Sequence, residues 1–307
     1  MSTPSGLVIV DKPGGMTSHD VVARVRRLAG TRRVGHAGTL DPMATGVLVV
    51  GVEKATRLLG YLTLTEKEYA ATIRLGQSTS TDDAAGEVTG TASAAGVSAE
   101  TLLAAVAGLT GEIQQVPPAV SAIKVDGQRA YRLTRAGSAP ELKPRPVTVY
   151  EFAVTAMRRD GNVLDVDATV RCSSGTYIRA LARDLGVALG TGGHLTRLRR
   201  TRVGGYGLES ARTLEQLADR FEVLPLAEAA SAAFPRRNLT EDEARRLANG
   251  GRLAAAAPAP AAPAPAGSAT VVSAAAHGPT AAYGPDGTLI ALVTEDSGQA
   301  RPLVVFA

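Results

Sequence analysis

Asp41 stands in the stretch GHAGTLDPMATGVLVV (residues 35–50), directly before an aliphatic run that is typical of a buried strand. An unpaired charge is costly in a strand core, so Asp41 either caps a turn or takes part in chemistry. Asp-Pro is common in Asx turns, and spacing alone favours that role no less than catalysis. Gly35 and Gly38 let the backbone approach a ligand closely. A carboxylate on such a rigid turn suits nucleophilic or acid/base work.

The other reactive side chains exclude several kinds of site. A single cysteine, Cys172, cannot form an internal disulfide or a thiolate metal cluster. The four histidines show no metal-ligand spacing: His19, His36, His194 and His277. We therefore predict no metal site. Cys172 falls on the inward face of the alternating segment NVLDVDATVRCS, which predicts a core residue and not a reactive thiol.

Composition indicates a folded chain. Apolar residues make up 45% and charged residues 20% of 307 residues, enough for a substantial core in one large domain or two smaller ones. The sequence lacks a run of about eighteen apolar residues, so we predict no membrane span. The first apolar run is too short for a signal peptide, and we expect a cytoplasmic protein.

Basic residues are concentrated in three blocks of a chain whose net charge is +4. Residues 1–60 carry eight basic and four acidic side chains, residues 124–146 six and two, and residues 171–202 seven and one. Blocks of this kind can converge on one face and hold a polyanion. Ordinary surface arginine explains the pattern nearly as well, so charge alone favours nucleic acid only modestly.

Hydrophobic periodicity predicts interspersed strands and helices, which is typical of an α+β or mixed α/β fold. Strands are expected at GLVIVDKP, ATGVLVVGV, KEYAATIRL and NVLDVDATVRCS, and helices at TSHDVVARVRRLAG, SAETLLAAVAGLTGEI and GTYIRALARDLGVALG. In the second helix we predict four inward side chains: Leu102, Leu103, Val106 and Leu109.

The C-terminal part of the chain changes character near residues 230–238, where we place a domain boundary. Capping boxes predict short helices at TLEQLADR and TEDEARRLANGG. An alanine-proline tract, residues 254–267, is expected to be an extended loop. The alternating segments and turn signals after it predict a small β unit.

Several ordered blocks of this sequence resemble the TruB family of tRNA pseudouridine synthases. GHAGTLDPMATGVLVV is similar to the family's catalytic motif, and the other matching blocks include GLVIVDKPGGMTSHDVVARVRR, KEYAATIRLGQSTSTDDAAGE, QQVPPAVSAIKVDGQRAYRLTRAG, VRCSSGTYIRALARDLG and GGHLTRLRRTRVGGY. The resemblance covers most of residues 5–210. A series of blocks in order is far more specific than one short motif.

The resemblance implies a fold and an activity. The fold would be a catalytic core on a mixed, mainly antiparallel sheet flanked by helices over residues 1–232, with an RNA-contacting insertion at about 115–148. A PUA-like β domain would span residues 233–307, interrupted by the alanine-proline loop. The activity would be conversion of uridine 55 in the T-arm of tRNA to pseudouridine, without a cofactor. Separately, nothing in the sequence demands more than a monomer. The target base must be flipped out of the RNA arm to be reached.

The resemblance also assigns residues to the site. It makes Asp41 the nucleophile and Arg179 its partner, where the alternative is a helix-surface arginine bonded to Asp184 or solvent. Tyr69 would stack on the flipped base and assist proton transfer, although alternation alone favours a core tyrosine. The remaining matches are expected to touch the substrate, with turn or packing roles as alternatives: His36, Tyr177, Leu198 and Lys12. Asp83 matches a loop aspartate that we expect to be structural.

Five basic residues are expected to contact the RNA backbone, where Lys and Arg supply salt-dependent affinity: Lys124, Arg129, Arg132, Arg199 and Arg200. Ordinary surface charge is the alternative for each. The sequence departs from many relatives at Ala37, where they carry threonine, but Asp41 is kept.

Two other functions compete with the isomerase. A non-catalytic tRNA-binding or tRNA-folding protein on the same fold is disfavoured by the joint presence of Asp41, Tyr69 and Arg179. A hydrolase with an aspartyl intermediate lacks a second matched carboxylate or a metal constellation.

Overall fold

The computed structural model describes residues 4–120, 142–255 and 278–306, together with the backbone of 124–125 and 128–129. The described helices are α1 Ser18–Ala29, α2 Leu59–Thr63, α3 Ala99–Gly108, α4 Ile178–Ala188, α5 Leu214–Asp219, α6 Leu226–Ala233 and α7 Glu241–Ala248. Two 3₁₀ turns span Glu53–Leu58 and Leu208–Ser210.

The described strands are interspersed with these helices, as the periodicity predicted. They are β1 Gly6–Lys12, β2 Val34–Ala37, β3 Thr45–Val52, β4 Lys67–Leu75, β5 Gln77–Thr79, β6 Val88–Thr91, β7 Gly111–Gln115, β8 Lys124–Val125, β9 Gln128–Arg129, β10 Arg145–Asp160, β11 Val163–Cys172, β12 Gly193–Val203, β13 Tyr206–Gly207, β14 Leu224–Pro225, β15 Arg236–Asn238, β16 Leu253–Ala254, β17 Thr280–Tyr283, β18 Leu289–Asp296 and β19 Gln299–Val305.

A ten-stranded sheet forms the main body, with the strand order β14-β1-β3-β12-β4-β11-β10-β7 and with β2 and β13 paired at its middle. Its pairings are antiparallel except between β3 and β12, which run parallel where Thr45 and Gly46 meet Arg199 and Arg200. Beyond that short contact the two strands separate. The loop that contains Asp83 then pairs with the free edge of β12, through a bridge between Asp83 and Leu195. This gap in the sheet is where the candidate site lies.

One face of the sheet carries the main hydrophobic core. Strand alternation turns aliphatic side chains of β1, β3, β4, β11 and β12 toward α1, α3 and α4. The predicted inward position of Cys172 on β11 is confirmed, since this residue is 1% exposed. Burial raises the pKa of this thiol to about 11, which agrees with its prediction as an unreactive core residue.

Local sequence signals define both ends of α1. Thr17 is the N-cap and forms a capping box with Asp20, and Gly30 ends the helix in the left-handed conformation with φ of 65°. The prediction for α3 was wrong at one position. Leu103 is 55% exposed, because Leu102 and Val106 already form the side that packs on the sheet.

A second, five-stranded sheet has the order β15-β17-β18-β19-β16 and lies with α7 in the C-terminal region. A shared hydrophobic cluster joins the two sheets, with Leu7 and Val49 from the first and Tyr283, Leu292 and Phe306 from the second. The boundary between residues 232 and 233 stays a prediction. Within the described residues, none of the helices is long and apolar enough to cross a membrane.

Candidate active site

Asp41 lies on the turn between β2 and β3, at the gap in the sheet. Its carboxylate is about one third exposed, with a side-chain exposure of 35%. The turn is closed by the backbone, where the amide of Ala44 donates to the carbonyl of Asp41 at 3.1 Å. The carboxylate instead accepts from Arg179, so the turn-cap alternative does not account for its side chain.

Arg179 holds Asp41 through two parallel hydrogen bonds. Its Nε donates to Oδ2 of Asp41 at 2.9 Å and its Nη2 donates to Oδ1 at 3.1 Å. This fork geometry fixes the plane of a carboxylate as well as its position. Arg179 sits in the first turn of α4 and is only 4% exposed, so the surface-arginine alternative is wrong.

Two backbone carbonyls fix the guanidinium of Arg179 from the other side. Nη1 donates to Thr81 at 2.8 Å and Nη2 donates to Val120 at 3.0 Å. The carboxylate of Asp83 lies 3.7 Å from Nε and accepts from the Thr81 hydroxyl and the Ala85 amide. Asp83 is buried, so its contacts fit the structural role that was expected of it.

A cavity of about 290 Å³ opens beside the Asp41–Arg179 pair. Four of the residues assigned to the site line it together with Asp41, and they come from three elements and a turn: Tyr69, Tyr177, Arg179 and Leu198. Burial raises the pKa of the Tyr69 phenol, so this hydroxyl stays protonated at neutral pH. The cavity therefore combines an aligned carboxylate with aromatic and aliphatic walls, which suits a flat, uncharged ring.

Gln115 positions Tyr177 and was missed by the sequence analysis. Its amide brackets the Tyr177 backbone, with Nε2 donating to the carbonyl at 3.1 Å and Oε1 accepting from the amide at 2.8 Å. Gln115 is 2% exposed at the end of β7. In the sequence, the one available sign was the position of this glutamine at the start of the predicted insertion.

Lys12 is buried under the turn that carries Asp41, not solvated. Its ammonium donates to the carbonyls of Pro13, Met16 and Pro42 at 2.8, 2.6 and 3.2 Å. Burial lowers its pKa to about 8, and the charge of Asp41 partly offsets that shift. Lys12 does not line the cavity, so its contacts favour support of the turn over contact with substrate.

His36 lies on β2, two residues before the cavity begins. Its ring meets His19 edge to face, with ring centroids 5.5 Å apart. Its buried Nδ1 has no hydrogen-bond partner among the residues that the structure describes. Burial lowers the pKa of the ring, so His36 tends to be neutral. The predicted contact of His36 with a displaced nucleotide stays a prediction.

Arg200 corrects the prediction of a phosphate contact at this position. It is 1% exposed, and its guanidinium donates to the carbonyls of Val47 at 2.8 Å, Gly38 at 3.1 Å and Thr39 at 3.5 Å. These carbonyls belong to β3 and to the turn before Asp41. Arg200 therefore uses its donors on carbonyls at the gap in the sheet, which favours support of the turn over contact with the RNA backbone.

Arg199 points to the opposite face of β12 from Arg200, as strand alternation requires. It forms a bidentate ion pair with Asp11, at 3.1 and 2.7 Å. A phosphate would compete with that carboxylate for Arg199. Lys124 and Arg129 are described by their backbone alone, in a two-stranded hairpin, and Arg132 lies outside the described residues. Phosphate contacts by these residues stay predictions.

Lys67 completes the cavity and was not singled out from the sequence. It is 6% exposed, lines the cavity, and donates to the carbonyls of Thr63 and Thr65. Burial and the neighbouring charge of Arg200 lower its pKa to about 8. Across residues 4–120, 142–255 and 278–306, no group of three His, Cys, Asp or Glu side chains is placed to hold a metal ion.

Comparison with known proteins identifies the family. Residues 26–178 match the N-terminal domain described as TruB family pseudouridylate synthase, and residues 179–230 and 270–307 match two C-terminal domains of the same enzymes. The chain is 62% identical over 305 residues to tRNA pseudouridine synthase B of Arthrobacter sp. (strain FB24), covering 99% of this chain and 97% of that one. It belongs to the TruB family. The predicted family and enzyme class, an isomerase acting on tRNA uridine, are thereby confirmed.

Further comparisons agree with that assignment. The protein of the same name from Thermobifida fusca (strain YX) is 61% identical over 307 residues, covering 98% of each chain. Among solved structures, a chain of an H/ACA RNP bound to a substrate RNA containing 2′-deoxyuridine matches with a TM-score of 0.70 and 25% identity, over 98% of this chain and 85% of that one. A chain of a Cbf5-Nop10-Gar1 complex matches with the same TM-score of 0.70 and 26% identity, over 98% of this chain and 84% of that one. The predicted fold class is thereby confirmed.

Proposed function

We propose that this TruB-family protein converts uridine 55 in the T-arm of tRNA to pseudouridine, with Asp41 as the nucleophile. The observation that supports it best is the forked pairing of Arg179 with Asp41 at the mouth of a cavity walled by Tyr69, Tyr177 and Leu198. The pairing presents one carboxylate in a fixed orientation to a ring held by the walls.

The geometry supports a role for each of these residues. Asp41 is partly exposed, so its oxygens are open to a substrate that enters the cavity. Tyr69 is buried at the cavity wall, where its ring can stack on a flipped-out base. Asp41 can attack the ribose, attack the base or take a proton from the sugar, and the same residue serves all three first steps.

The test is pseudouridine formation in an unmodified tRNA transcript, with wild type beside Asp41→Asn. We expect product at position 55 from wild type alone, because the amide keeps the shape of Asp41 but loses its negative charge. Binding of tRNA should stay within about threefold, since the basic surface supplies most of the affinity. Turnover by Asp41→Asn would remove the nucleophile assignment.

The same experiment separates the alternative function. Binding by both proteins with no pseudouridine from either would favour a tRNA-binding or tRNA-folding protein on this fold. Pseudouridine at another position of the tRNA would support the proposed reaction but reject uridine 55 as its target.

A further inference from the structure

Three buried cations lie at or near the cavity without a carboxylate partner of their own. Lys12, Lys67 and Arg200 donate to backbone carbonyls, and within the described residues none of them forms an ion pair. A buried charge is costly unless it is compensated, so uncompensated cations beside a cavity favour a ligand that carries negative charge. Asp41 forms no ion pair with any of the three, because its carboxylate is held by Arg179.

The two lysines differ in how many of their donors are used. An ammonium has three N–H donors. Lys12 uses three on the carbonyls of Pro13, Met16 and Pro42, and it does not line the cavity. Lys67 uses two, on Thr63 and Thr65, and its third N–H has no acceptor among the described residues.

Lys67 is also in the right place to meet a ligand. It lines the cavity with Asp41 and Tyr69, and it stands on β4 two residues before Tyr69. Its Cε lies 3.9 Å from the position that a Cβ on Gly38 would occupy, and Gly38 lines the cavity as well. The end of the Lys67 side chain therefore lies beside the turn that precedes Asp41.

We propose that Lys67 donates a hydrogen bond to an oxygen of the uracil base as that base leaves the ribose, and so stabilises the charge that develops on it. This inference rests on the proposed function. When the C1′–N1 bond breaks, its electron pair goes to N1, and the freed uracil shares the negative charge over N1, O2 and O4. C1′ is meanwhile held by an oxygen of Asp41, or C2′ loses a proton to it.

The reaction then closes without any further reagent. C5 of the turned base attacks C1′ while the bond to Asp41 breaks or the C2′ proton returns. C5 then loses its proton and N1 takes one up, so the base ends neutral. Lys67 remains protonated throughout. At pH 7 it is charged, since its lowered pKa of about 8 is still above that pH. A donor aimed at developing charge in a water-poor site is worth far more than the same donor in water.

The test compares two leaving groups in one variant. Lys67→Gln keeps N–H donors for the two carbonyls and removes the charge. Single-turnover cleavage of the glycosidic bond is measured at pH 7 on tRNA with uridine or 5-fluorouridine at the target position. Fluorine withdraws electrons and stabilises the departing base, so the variant should lose less on that substrate.

We expect Lys67→Gln to slow cleavage about 100-fold on uridine, with a loss about tenfold smaller on 5-fluorouridine. The matched control is Lys12→Gln, another buried lysine that touches carbonyls alone. Lys12→Gln should slow cleavage of both substrates by the same factor, because Lys12 supports the turn and does not touch the base. Binding of tRNA should be unchanged in Lys67→Gln.

Equal losses on the two substrates, an unchanged rate, or a loss that is explained by weaker binding would overturn the proposal. Lys67→Arg keeps the positive charge and guards against misfolding of the neutral variant. Its ratio of the two rates should remain that of wild type, and a shifted ratio would also overturn the proposal. Failure of wild type to form pseudouridine would instead reject the proposed function, so the two failures are distinguishable.

Discussion

At the scale of single residues, the decisive feature is that one arginine defines the orientation of one carboxylate. Arg179 uses Nε and Nη2 on Asp41 while its other donors are held by the carbonyls of Thr81 and Val120. Because both sides of the guanidinium are engaged, it cannot rotate without breaking several bonds. The Asp41 carboxylate is therefore oriented before any substrate arrives.

Arg179→Lys tests this orientation. Lysine keeps the charge but cannot form the fork, so we expect single-turnover pseudouridine formation to fall about 30-fold, the worth of a hydrogen bond between charged groups. Binding of tRNA should change little. The matched control is Arg183→Lys on the same face of α4, where the arginine pairs with Asp82 and does not touch Asp41. Its rate should stay within about threefold of wild type.

Equal losses in the two variants would mean that the fork itself contributes nothing beyond the packing of α4. A rate for Arg179→Lys that matches wild type would show that a point charge suffices beside Asp41.

At the scale of elements, the contact between β3 and β12 places the turn of Asp41 at the gap in the sheet. Gly46 has a φ of 97°, and a Cβ there would lie 2.2 Å from the carbonyl oxygen of Arg200. The two strands can approach this closely because position 46 has no side chain. The register of the turn therefore depends on one glycine.

Gly46→Ala should therefore lower the free energy of unfolding by about 3 kcal/mol, through a strained backbone and a clash between backbone atoms. Urea denaturation followed by circular dichroism measures it. Gly90→Ala is the matched control in another strand, where a Cβ would meet nothing within 4 Å, and it should cost less than about 1 kcal/mol. A Gly46→Ala protein as stable as the control would contradict this account of the contact.

Sequence patterns predicted much of this arrangement and missed two inward cations. In KEYAATIRL, period-2 alternation turns Tyr69, Ala71, Ile73 and Leu75 to one face, and Lys67 stands two residues before Tyr69 on that same face. The same step from Leu198 reaches Arg200. Charged residues are normally outside, so alternation was not extended to them. Lys67 is buried against the carbonyls of Thr63 and Thr65 at the end of α2, and Arg200 against carbonyls at the gap in the sheet. Both settings are properties of tertiary structure.

At the scale of the whole molecule, the two sheets behave as one hydrophobic unit. Besides the shared cluster, Lys54 donates to the carbonyl of Phe306 at 2.8 Å and Arg57 donates to that of Val305 at 2.7 Å. Tyr283 donates to Ala227 at 2.9 Å. The C-terminal region therefore covers apolar surface that the main sheet would otherwise expose.

Truncation after residue 232 should lower the melting temperature by at least about 10 °C, because each uncovered aliphatic or aromatic side chain costs about 1.5–3 kcal/mol. Differential scanning calorimetry provides the measurement. Tyr283→Phe is the matched control, since it removes one hydrogen bond and keeps the ring, and it should shift the melting temperature by about 2–4 °C. An unchanged melting temperature in the truncated chain would show that the two regions are energetically independent.

The hydrogen bond from Arg179 to the carbonyl of Val120 connects the aligned carboxylate to the start of the predicted RNA-contacting insertion. Arg183 makes a similar bond to Val116 at 2.7 Å. Two arginines of α4 thereby tie the start of the insertion to the helix that orients Asp41. A tRNA arm that docks on the insertion would thus meet a carboxylate whose position relative to that segment is already set, so binding would need no later realignment of the site.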